Sequence, residues 1–308
     1  MNIITLTPVR NEEKNIRTFL ENASKFSDHI ILADQSSSDR TKEIALSFPK
    51  VTVIENNEQG HSNLVRWMLL DEVRKIPGTN MLVAIDADEM ISPEWFKTVK
   101  EKYKDDAAPK AFSFRWIQLW KSTAEYRMDG VWKDTRKTAV WIDDRKSDYE
   151  RTSVLNDHTS RVPESLTIEN VEEYPLLHFQ FVTMKQTAYK QAWYRMSEWL
   201  AGKKARKINY RYMHSKDSTD VILEKANDAW FQDILLPVFS DSTEDSWHRK
   251  EILGLFERYG IEYFEPLDIW YVDELKDIFV KKTGREPKAK VYFWPLVALN
   301  RIARFLLK

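Results

Sequence analysis

Two aspartates one residue apart, Asp86 and Asp88, close the apolar run Met81-Leu82-Val83-Ala84-Ile85. In extended chain, residues two apart project to the same face, so these carboxylates repel unless a cation sits between them. Oxygen ligands of this kind suit Mg²⁺ or Mn²⁺, which complete their shells with substrate phosphates and water. Two more polar clusters follow apolar runs in the same manner. Thr7-Pro8-Val9-Arg10-Asn11-Glu12-Glu13 follows Ile3-Ile4-Thr5-Leu6, and Asp34-Gln35-Ser36-Ser37-Ser38-Asp39 follows Ile30-Ile31-Leu32-Ala33.

The elements that must carry these clusters alternate over the first hundred residues. Strands are predicted at Ile3–Thr7, stopping at Pro8, and at Ile30–Ala33, Val51–Ile54 and Met81–Ile85. Between them, Ile16, Phe19, Leu20 and Ala23 recur at helical spacing with Asn11 as the expected cap. Ile44 and Phe48 mark a second helix capped by Ser38 or Asp39. Val65, Met68, Leu69, Val73 and Ile76 mark a third that Gly78 ends. Ser92-Pro93 opens a fourth, serine as cap and proline in the first turn. Continuous apolar strands alternating with amphipathic helices predict a mainly parallel sheet covered on both faces. In such sheets ligands bind beyond the carboxyl ends of the strands, where strand order reverses; all three polar clusters fall there.

Beyond residue 110 the pattern changes. Ala111–Trp120 and Thr138–Ile142 read as strands, Asp143–Glu164 as a polar, mobile stretch, and Pro175–Phe181 as one more strand. From Lys185 the periodicity is helical, with Tyr189, Ala192, Trp193, Met196, Trp199 and Leu200 in one stripe. These signals divide the chain into an α/β domain, residues 1–184, and a helical C-terminal region, residues 185–308.

Composition narrows the chemistry. The chain has 308 residues, 43% hydrophobic and 31% charged, enough to bury a core. Its 47 Lys/Arg and 48 Asp/Glu nearly cancel, which argues against a general nucleic-acid binder. It has no cysteine, so thiol catalysis, Cys-ligated zinc, iron–sulfur clusters and a disulfide scaffold are excluded. Its 7 glycines fall nowhere in a G-x-G-x-x-G or G-x-x-x-x-G-K-[ST] arrangement. The opening residues lack a signal-peptide pattern and no window approaches a membrane span, so a cytoplasmic protein is expected.

On these three motifs the sequence resembles the GT-A glycosyltransferases, in particular the large family 2. Thr7–Glu13 is similar to that family's opening segment, Asp34–Asp39 to its D-x-x-S-x-D turn and Asp86-Ala87-Asp88 to its D-x-D. The likeness is firm over residues 1 to about 100 and loose beyond. It implies a GT-A fold, an α/β sandwich with a Rossmann-like, mainly parallel sheet, and a nucleotide-sugar donor, most readily UDP-linked, lying across the strand ends. Pro8, Val9, Arg10 and Glu12 would line the base and ribose pocket and Asp34 would contact the base. Asp86 would touch the ribose or donor sugar among the catalytic groups, and Asp88 would hold Mn²⁺ or Mg²⁺ on the diphosphate. Two departures stand out. Gln35 and Ser36 replace the usual acidic or Asn residue and glycine, and Gly60-His61-Ser62-Asn63-Leu64-Val65-Arg66 alters the family's glycine-led helix start. Arg66 is the candidate phosphate or ribose contact.

The resemblance also implies inversion through one in-line displacement. The diphosphate leaves with growing charge that a divalent ion stabilises, while a carboxylate takes the proton of the attacking hydroxyl. By analogy with relatives, Glu164 in Val162-Pro163-Glu164 is the candidate base; Asp143, Asp144 and Asp157 compete with it. His178, in Leu176-Leu177-His178-Phe179, is a candidate further metal ligand and otherwise a core histidine. His158 and Arg161 are candidate acceptor or phosphate contacts. Among the aromatic residues, Phe112, Phe114 and Trp116 alternate like a buried face, whereas Trp120 and Trp132, beside polar residues, are candidate platforms for the acceptor.

The acceptor implied is a hydroxyl on a saccharide or lipid-linked molecule, in surface polysaccharide or lipopolysaccharide assembly. Lys281–Lys308 carries eight Lys/Arg against one acid, and Leu296, Leu299, Ile302, Ala303 and Leu306 share a helical face. That is the pattern of an interfacial helix drawn to anionic lipid at the inner face of a membrane; a helix packed on protein is the alternative. Rival activities fit less well. A sugar nucleotidyltransferase needs a glycine-rich loop after the first strand, and a haloacid-dehalogenase-type phosphatase places its D-x-D there. A non-enzymatic carbohydrate binder needs no metal carboxylates.

Overall fold

A computed structural model describes residues 1–56, 64–103, 108–149, 160–163, 165–216 and 221–288. Four parallel strands are laid down first: β1 (Asn2–Val9), β2 (His29–Asp34), β3 (Val51–Glu55) and β4 (Asn80–Ala84). The intervening helices are α1 (Ile16–Ala23), α2 (Thr41–Leu46) and α3 (Leu64–Val73), with α4 (Pro93–Lys102) after β4. The sheet is completed by β5 (Glu89–Met90), β6 (Ala111–Gln118), β8 (Arg136–Ile142) and β9 (Ile168–His178) in the order β3-β2-β1-β4-β8-β6-β9-β5. β8 runs antiparallel to β4 and to β6, and β9 runs parallel to β6. β7 (Glu125–Arg127) and β10 (Leu223–Lys225) form a separate two-stranded ladder. This is the predicted α/β arrangement, a parallel half extended by a mixed half.

The apolar runs are continuous because both sheet faces are covered. Ile3, Val9, Ile30, Leu32, Met81 and Val83 pack with α1 and α4, whereas Ile4, Leu6, Ile31, Ala33, Leu82 and Ala84 pack with α3. Each such side chain, taken fully from water, contributes about 1.5–3 kcal/mol. Strand order reverses between β1, which pairs with β2 on one side, and β4 on the other. Polar residues leaving these strands therefore converge on one crevice.

Several local expectations change. β1 runs through Pro8 to Val9, its ladder with β2 continuing to Val9 opposite Asp34. Asn11 does not cap α1: Asn15 occupies that position, and Asn11 turns with φ 54° so that its Oδ1 accepts from Ser38 N at 2.8 Å. Its amide serves the neighbouring loop instead of the helix end. β9 begins at Ile168, before Pro175. The register with β6 jumps from Val171 opposite Phe114 to Leu176 opposite Trp116, so Pro175 sits in a bulge, where a missing N–H costs no ladder bond. Ser92 caps α4 as expected, accepting from Glu94 N.

The described chain divides into two compact units. The first is Met1–Val182 with Ile222–Phe239, the second Thr183–Val221 with Ser240–Lys308. Residues 222–239, placed by the sequence in the helical region, group with the sheet unit because Leu223–Lys225 pair with Glu125–Arg127. The second unit contains α5 (Met184–Leu200), α6 (Ala205–Arg211), α7 (Trp247–Tyr259) and α8 (Asp273–Thr283). Tyr189, Ala192, Trp193 and Met196 of α5 pack with Ile252, Phe256, Leu275 and Phe279, as the stripe predicts. Among the described residues no helix is long and apolar enough to cross a membrane. Of the basic tail Lys281–Lys308, Lys281–Thr283 end α8, and residues 289–308, with the apolar face at 296–306, lie outside the described residues.

Candidate active site

The loops after β1 and β2 are locked together by their own polar groups. Asn11 N donates to Ser37 Oγ at 2.9 Å, Glu12 N to Thr41 Oγ1 at 2.7 Å and Gln35 N to Val9 O at 2.8 Å. Ser36 adopts φ 54° where the resembling family favours glycine, so this turn holds a strained residue. Asp34 is 2% exposed. Its Oδ2 accepts from Ser37 N at 3.1 Å, while its Oδ1 is buried with no hydrogen-bond partner among the described residues. An enclosed acceptor left unmatched is costly, and an N–H at the edge of a nucleobase is the group that would satisfy it. Pro8 and Arg10 are half-buried at the same strand end. Val9 packs its side chain into the core, so it can present only backbone to a ligand. Glu12 Oε2 accepts from Asn15 Nδ2 at 2.9 Å, which engages it in the turn leading into α1.

At the end of β4 the chain turns through Asp86-Ala87-Asp88-Glu89, and Thr7 Oγ1 ties that turn to β1 by donating to Ile85 O at 2.8 Å. Glu89 is fully buried and organises the corner. It accepts from Asp86 N at 3.0 Å, from Trp116 Nε1 at 2.9 Å and from Arg161 Nη2 at 3.1 Å, with Arg161 Nη1 donating to its other oxygen. The same guanidinium bridges to Asp86, Nη2 to Oδ2 at 2.6 Å. Burial alone would raise the Asp86 pKa, but the cations of Arg161 and Arg66 outweigh it and hold the carboxyl below its ordinary range. Burial likewise opposes the charge on Arg161, and Asp86 and Glu89 more than restore it.

Asp88 is turned toward β9. Its Oδ2 stands 3.5 Å from His178 Nε2, and its backbone carbonyl accepts from Phe179 N at 2.9 Å. His178 Nδ1 meets Gln118 Oε1 at 2.6 Å. An amide oxygen only accepts, so in this assignment Nδ1 carries the proton and the Nε2 lone pair faces the Asp88 carboxylate. Two acceptors aimed at one another call for a proton or a metal ion between them. The outer hydrogen bond to Gln118 is what usually orients a ligating histidine. The carboxylate suits Mn²⁺ or Mg²⁺, whereas the imidazole is a ligand more usual for the later transition metals. Among the described residues no cluster of three or more His, Asp or Glu could hold a metal, so remaining positions would fall to substrate phosphate and water.

Trp116 joins these parts. It donates to Glu89, stacks on His178 with centroids 5.0 Å apart and carries Lys137 Nζ 4.5 Å from its ring centroid. The alternation of residues 112, 114 and 116 points to a buried face, but an enclosed indole N–H needs an acceptor, and that need is the sign that Trp116 belongs to a polar site. Glu89, Gln118 and Lys137 carry no such signal. Arg161, a candidate acceptor or phosphate contact, binds Asp86 and Glu89. Arg66, on α3, is half-buried beside Arg161 and Asp86.

Other candidates resolve differently. Trp120 as an acceptor platform is corrected: it is fully buried, stacked on Phe181 at 5.0 Å with the Arg127 guanidinium 4.6 Å from its ring centre, and offers no open face. Trp132 is half-buried, edge-on to Phe181, with Arg127 5.5 Å from its ring centre. Asp143, a competing base, has a 1% exposed side chain paired with Arg74 at 2.8 Å. Asp144 accepts from the amides of Lys146 and Ser147 in a tight turn. Both are structural. Glu164, Asp157 and His158 lie outside the described residues, as do residues 57–63 ahead of Arg66.

Comparisons with known proteins bear on this arrangement. The family model described as Glycosyl transferase family 2 matches residues 5–129, a stretch that holds β1, β2, β4 and the Asp86–Glu89 turn. No curated protein matches. Among solved structures, S. aureus TarS (residues 1–349) is 13% identical over 62% of this chain and 65% of that one, with a TM-score of 0.43. The same protein with UDP-GlcNAc is 12% identical over 91% of this chain and 81% of its own, with a TM-score of 0.41. A glucosyl-3-phosphoglycerate synthase from Mycobacterium tuberculosis is 17% identical over 38% of this chain and 43% of its own, with a TM-score of 0.29. The first TarS match thus spans a little under two thirds of that chain, and likenesses this distant bear on neither activity nor substrate. What these comparisons support is a local match: residues 5–129, which include Asp34 and the Asp86–Glu89 turn, fit the model described as Glycosyl transferase family 2.

Proposed function

We propose that the chain is a metal-dependent glycosyltransferase that moves a sugar from a nucleoside-diphosphate donor, with uridine as the expected base, to a hydroxyl of a saccharide or lipid-linked acceptor. The observation that carries this reading is the facing of Asp88 Oδ2 and His178 Nε2 at 3.5 Å, at the strand ends where Asp34 Oδ1 is buried and unmatched among the described residues. Asp34 would accept from the base, Pro8 and Arg10 would flank base and ribose, and Arg66 would approach the phosphates. Asp88 and His178 would hold Mn²⁺ or Mg²⁺, which supplies charge stabilisation as the nucleoside diphosphate departs. Asp86, fixed by Arg161, is positioned beside the reacting centre as an ionised acceptor for a ribose or sugar hydroxyl. Glu164 is the proposed base for a single inverting displacement, and Trp132 the remaining proposed acceptor contact. Surface polysaccharide or lipopolysaccharide assembly is the proposed setting.

The test is a thermal-shift panel of UDP, GDP, dTDP and CMP, with and without Mn²⁺, on the wild-type protein and Asp34→Asn. At a ligand concentration of 100 Kd, binding stabilises by about 2.7 kcal/mol. We expect a clear rise in Tm with UDP and Mn²⁺ and a smaller one without the metal. In Asp34→Asn, UDP affinity should fall about tenfold or more, because a buried acceptor made for a base N–H is replaced by a group that can present a donor. No shift with any nucleotide would overturn the reading.

A further inference from the structure

Three cations crowd the acidic corner, and among the described residues only one of them is ion-paired there. Arg161 bridges Asp86 and Glu89. Arg66 and Lys137 have no ion-pair partner among the described residues, although both are partly buried next to Arg161. Lys137 is the less expected of the two. It lies on β8, whose ladder with β4 pairs Val83 with Val140. Continued along the two antiparallel strands, that register brings Lys137 level with Asp86, at the strand ends where the donor would lie. Its ammonium is held over Trp116, whose indole is itself fixed by Glu89 and His178. A flexible lysine is thus pinned at a defined place without a carboxylate to pin it. Burial, with Arg161 close by, pulls its pKa below the ordinary lysine value, and Asp86 and Glu89 only partly offset this.

A chain that gathers Arg66, Lys137 and Arg161 this closely sets like charges against one another in a partly dry pocket. What relieves such a cluster is an anion with several oxygens. Resting on the function proposed above, we propose that Lys137 binds the donor's diphosphate, completing with Arg66 and Arg161 a cationic cradle over the Asp86–Asp88 corner. The charge count agrees. By formal charge, three carboxylates (Asp86, Asp88 and Glu89) balance the three cations. A doubly charged diphosphate and a divalent ion then enter together without net charge, whereas either alone leaves an imbalance. In this arrangement the side-chain cations take the oxygens that the metal does not reach. The chemistry recognised is that of a diphosphate, whichever base it carries.

The test compares wild type with Lys137→Met, which keeps length and apolar contact with Trp116 but removes the charge. Calorimetric titrations use inorganic pyrophosphate, UDP and uridine, each with Mn²⁺ present. We expect the substitution to weaken pyrophosphate and UDP about tenfold or more, the scale of a lost charge-assisted contact, and to leave uridine unchanged. The unliganded Tm should hold or rise, since a poorly solvated charge has been removed. Equal pyrophosphate affinity in the two proteins, or a marked fall in unliganded Tm, would overturn the assignment. If wild type binds pyrophosphate in a Lys137-dependent way but shows no preference for any nucleotide, the cradle stands and the nucleotide-sugar reading fails. If UDP binds well and Lys137→Met changes nothing, the reverse holds.

Discussion

Changing Asp88 to asparagine is expected to reduce sugar transfer about 10³-fold, the cost of removing a principal electrostatic contributor to the transition state, while the protein stays folded. The amide keeps the shape but forfeits the charge that faces His178 Nε2. The backbone link from Phe179 N to Asp88 O is untouched, so the fold loses no ladder contact at this point. Two measurements check the result. Turnover should collapse at all metal concentrations, and UDP should still raise the Tm through the base pocket, with the additional effect of Mn²⁺ gone. A variant that retains turnover within a few fold would remove Asp88 from the machinery.

Changing Arg161 to methionine should damage stability more than any other single substitution at the site. Arg161 is 8% exposed and is the sole described cation bridging Asp86 and Glu89. Removing one member of a buried pair costs about 3–5 kcal/mol, because the remaining charge is left without compensation. In a domain of this size each kcal/mol shifts Tm by about 2–4 °C. The pH dependence has a definite sign. In the wild type the depressed Asp86 pKa supplies stability that is fully present above the unfolded carboxylate value, about 3.9. That stability is lost as pH falls through the lower folded value. Without Arg161, burial raises the Asp86 pKa with less to oppose it, so the variant should be worst at neutral pH and recover toward the wild type on acidification. The double variant Arg161→Met with Glu89→Gln should regain part of the loss, since the neutral amide removes the uncompensated charge and its single oxygen can still accept from one of the two donors, Asp86 N or Trp116 Nε1. Urea denaturation of each variant across about pH 4.5–7.5, the range above the unfolded carboxylate values, reads all of these effects. A deficit that grows on acidification would contradict the assigned electrostatics.

The parallel half of the sheet is legible in the sequence because its physics is periodic. Ile3, Ile30, Val53 and Met81 lie in apolar runs too short for helices, and amphipathic helical stripes separate them. Three polar clusters after three such runs leave their residues at the same end of the sheet, which is what the structure shows. The mixed half is less legible. β9 starts at Ile168 with the polar alternation of an exposed edge, and Pro175 suggests a start where the structure has a bulge. Trp120 misleads for a related reason: polar neighbours in sequence say nothing about Phe181 and Arg127, which cover the ring in space. Glu89 and Arg161 are 72 residues apart, and no local pattern links a buried glutamate to an arginine at that distance. Asn11 shows the same limit at short range, its side chain serving the second loop rather than the helix that follows it. Long-range polar pairing is fixed by topology, and a single sequence carries little trace of it.

If Asp88 and His178 place a divalent ion on the diphosphate of a nucleotide donor, that ion can be seen. Anomalous diffraction at the manganese edge, from crystals grown with UDP and Mn²⁺, locates it without reference to activity. One strong peak is expected, touching both the Asp88 carboxylate and the diphosphate oxygens, with His178 Nε2 turned to it and the Arg161 bridge to Asp86 intact. A diphosphate bound at the strand ends with no manganese beside Asp88, or manganese held elsewhere while His178 and Asp88 bond directly to each other, would contradict the proposed metal site.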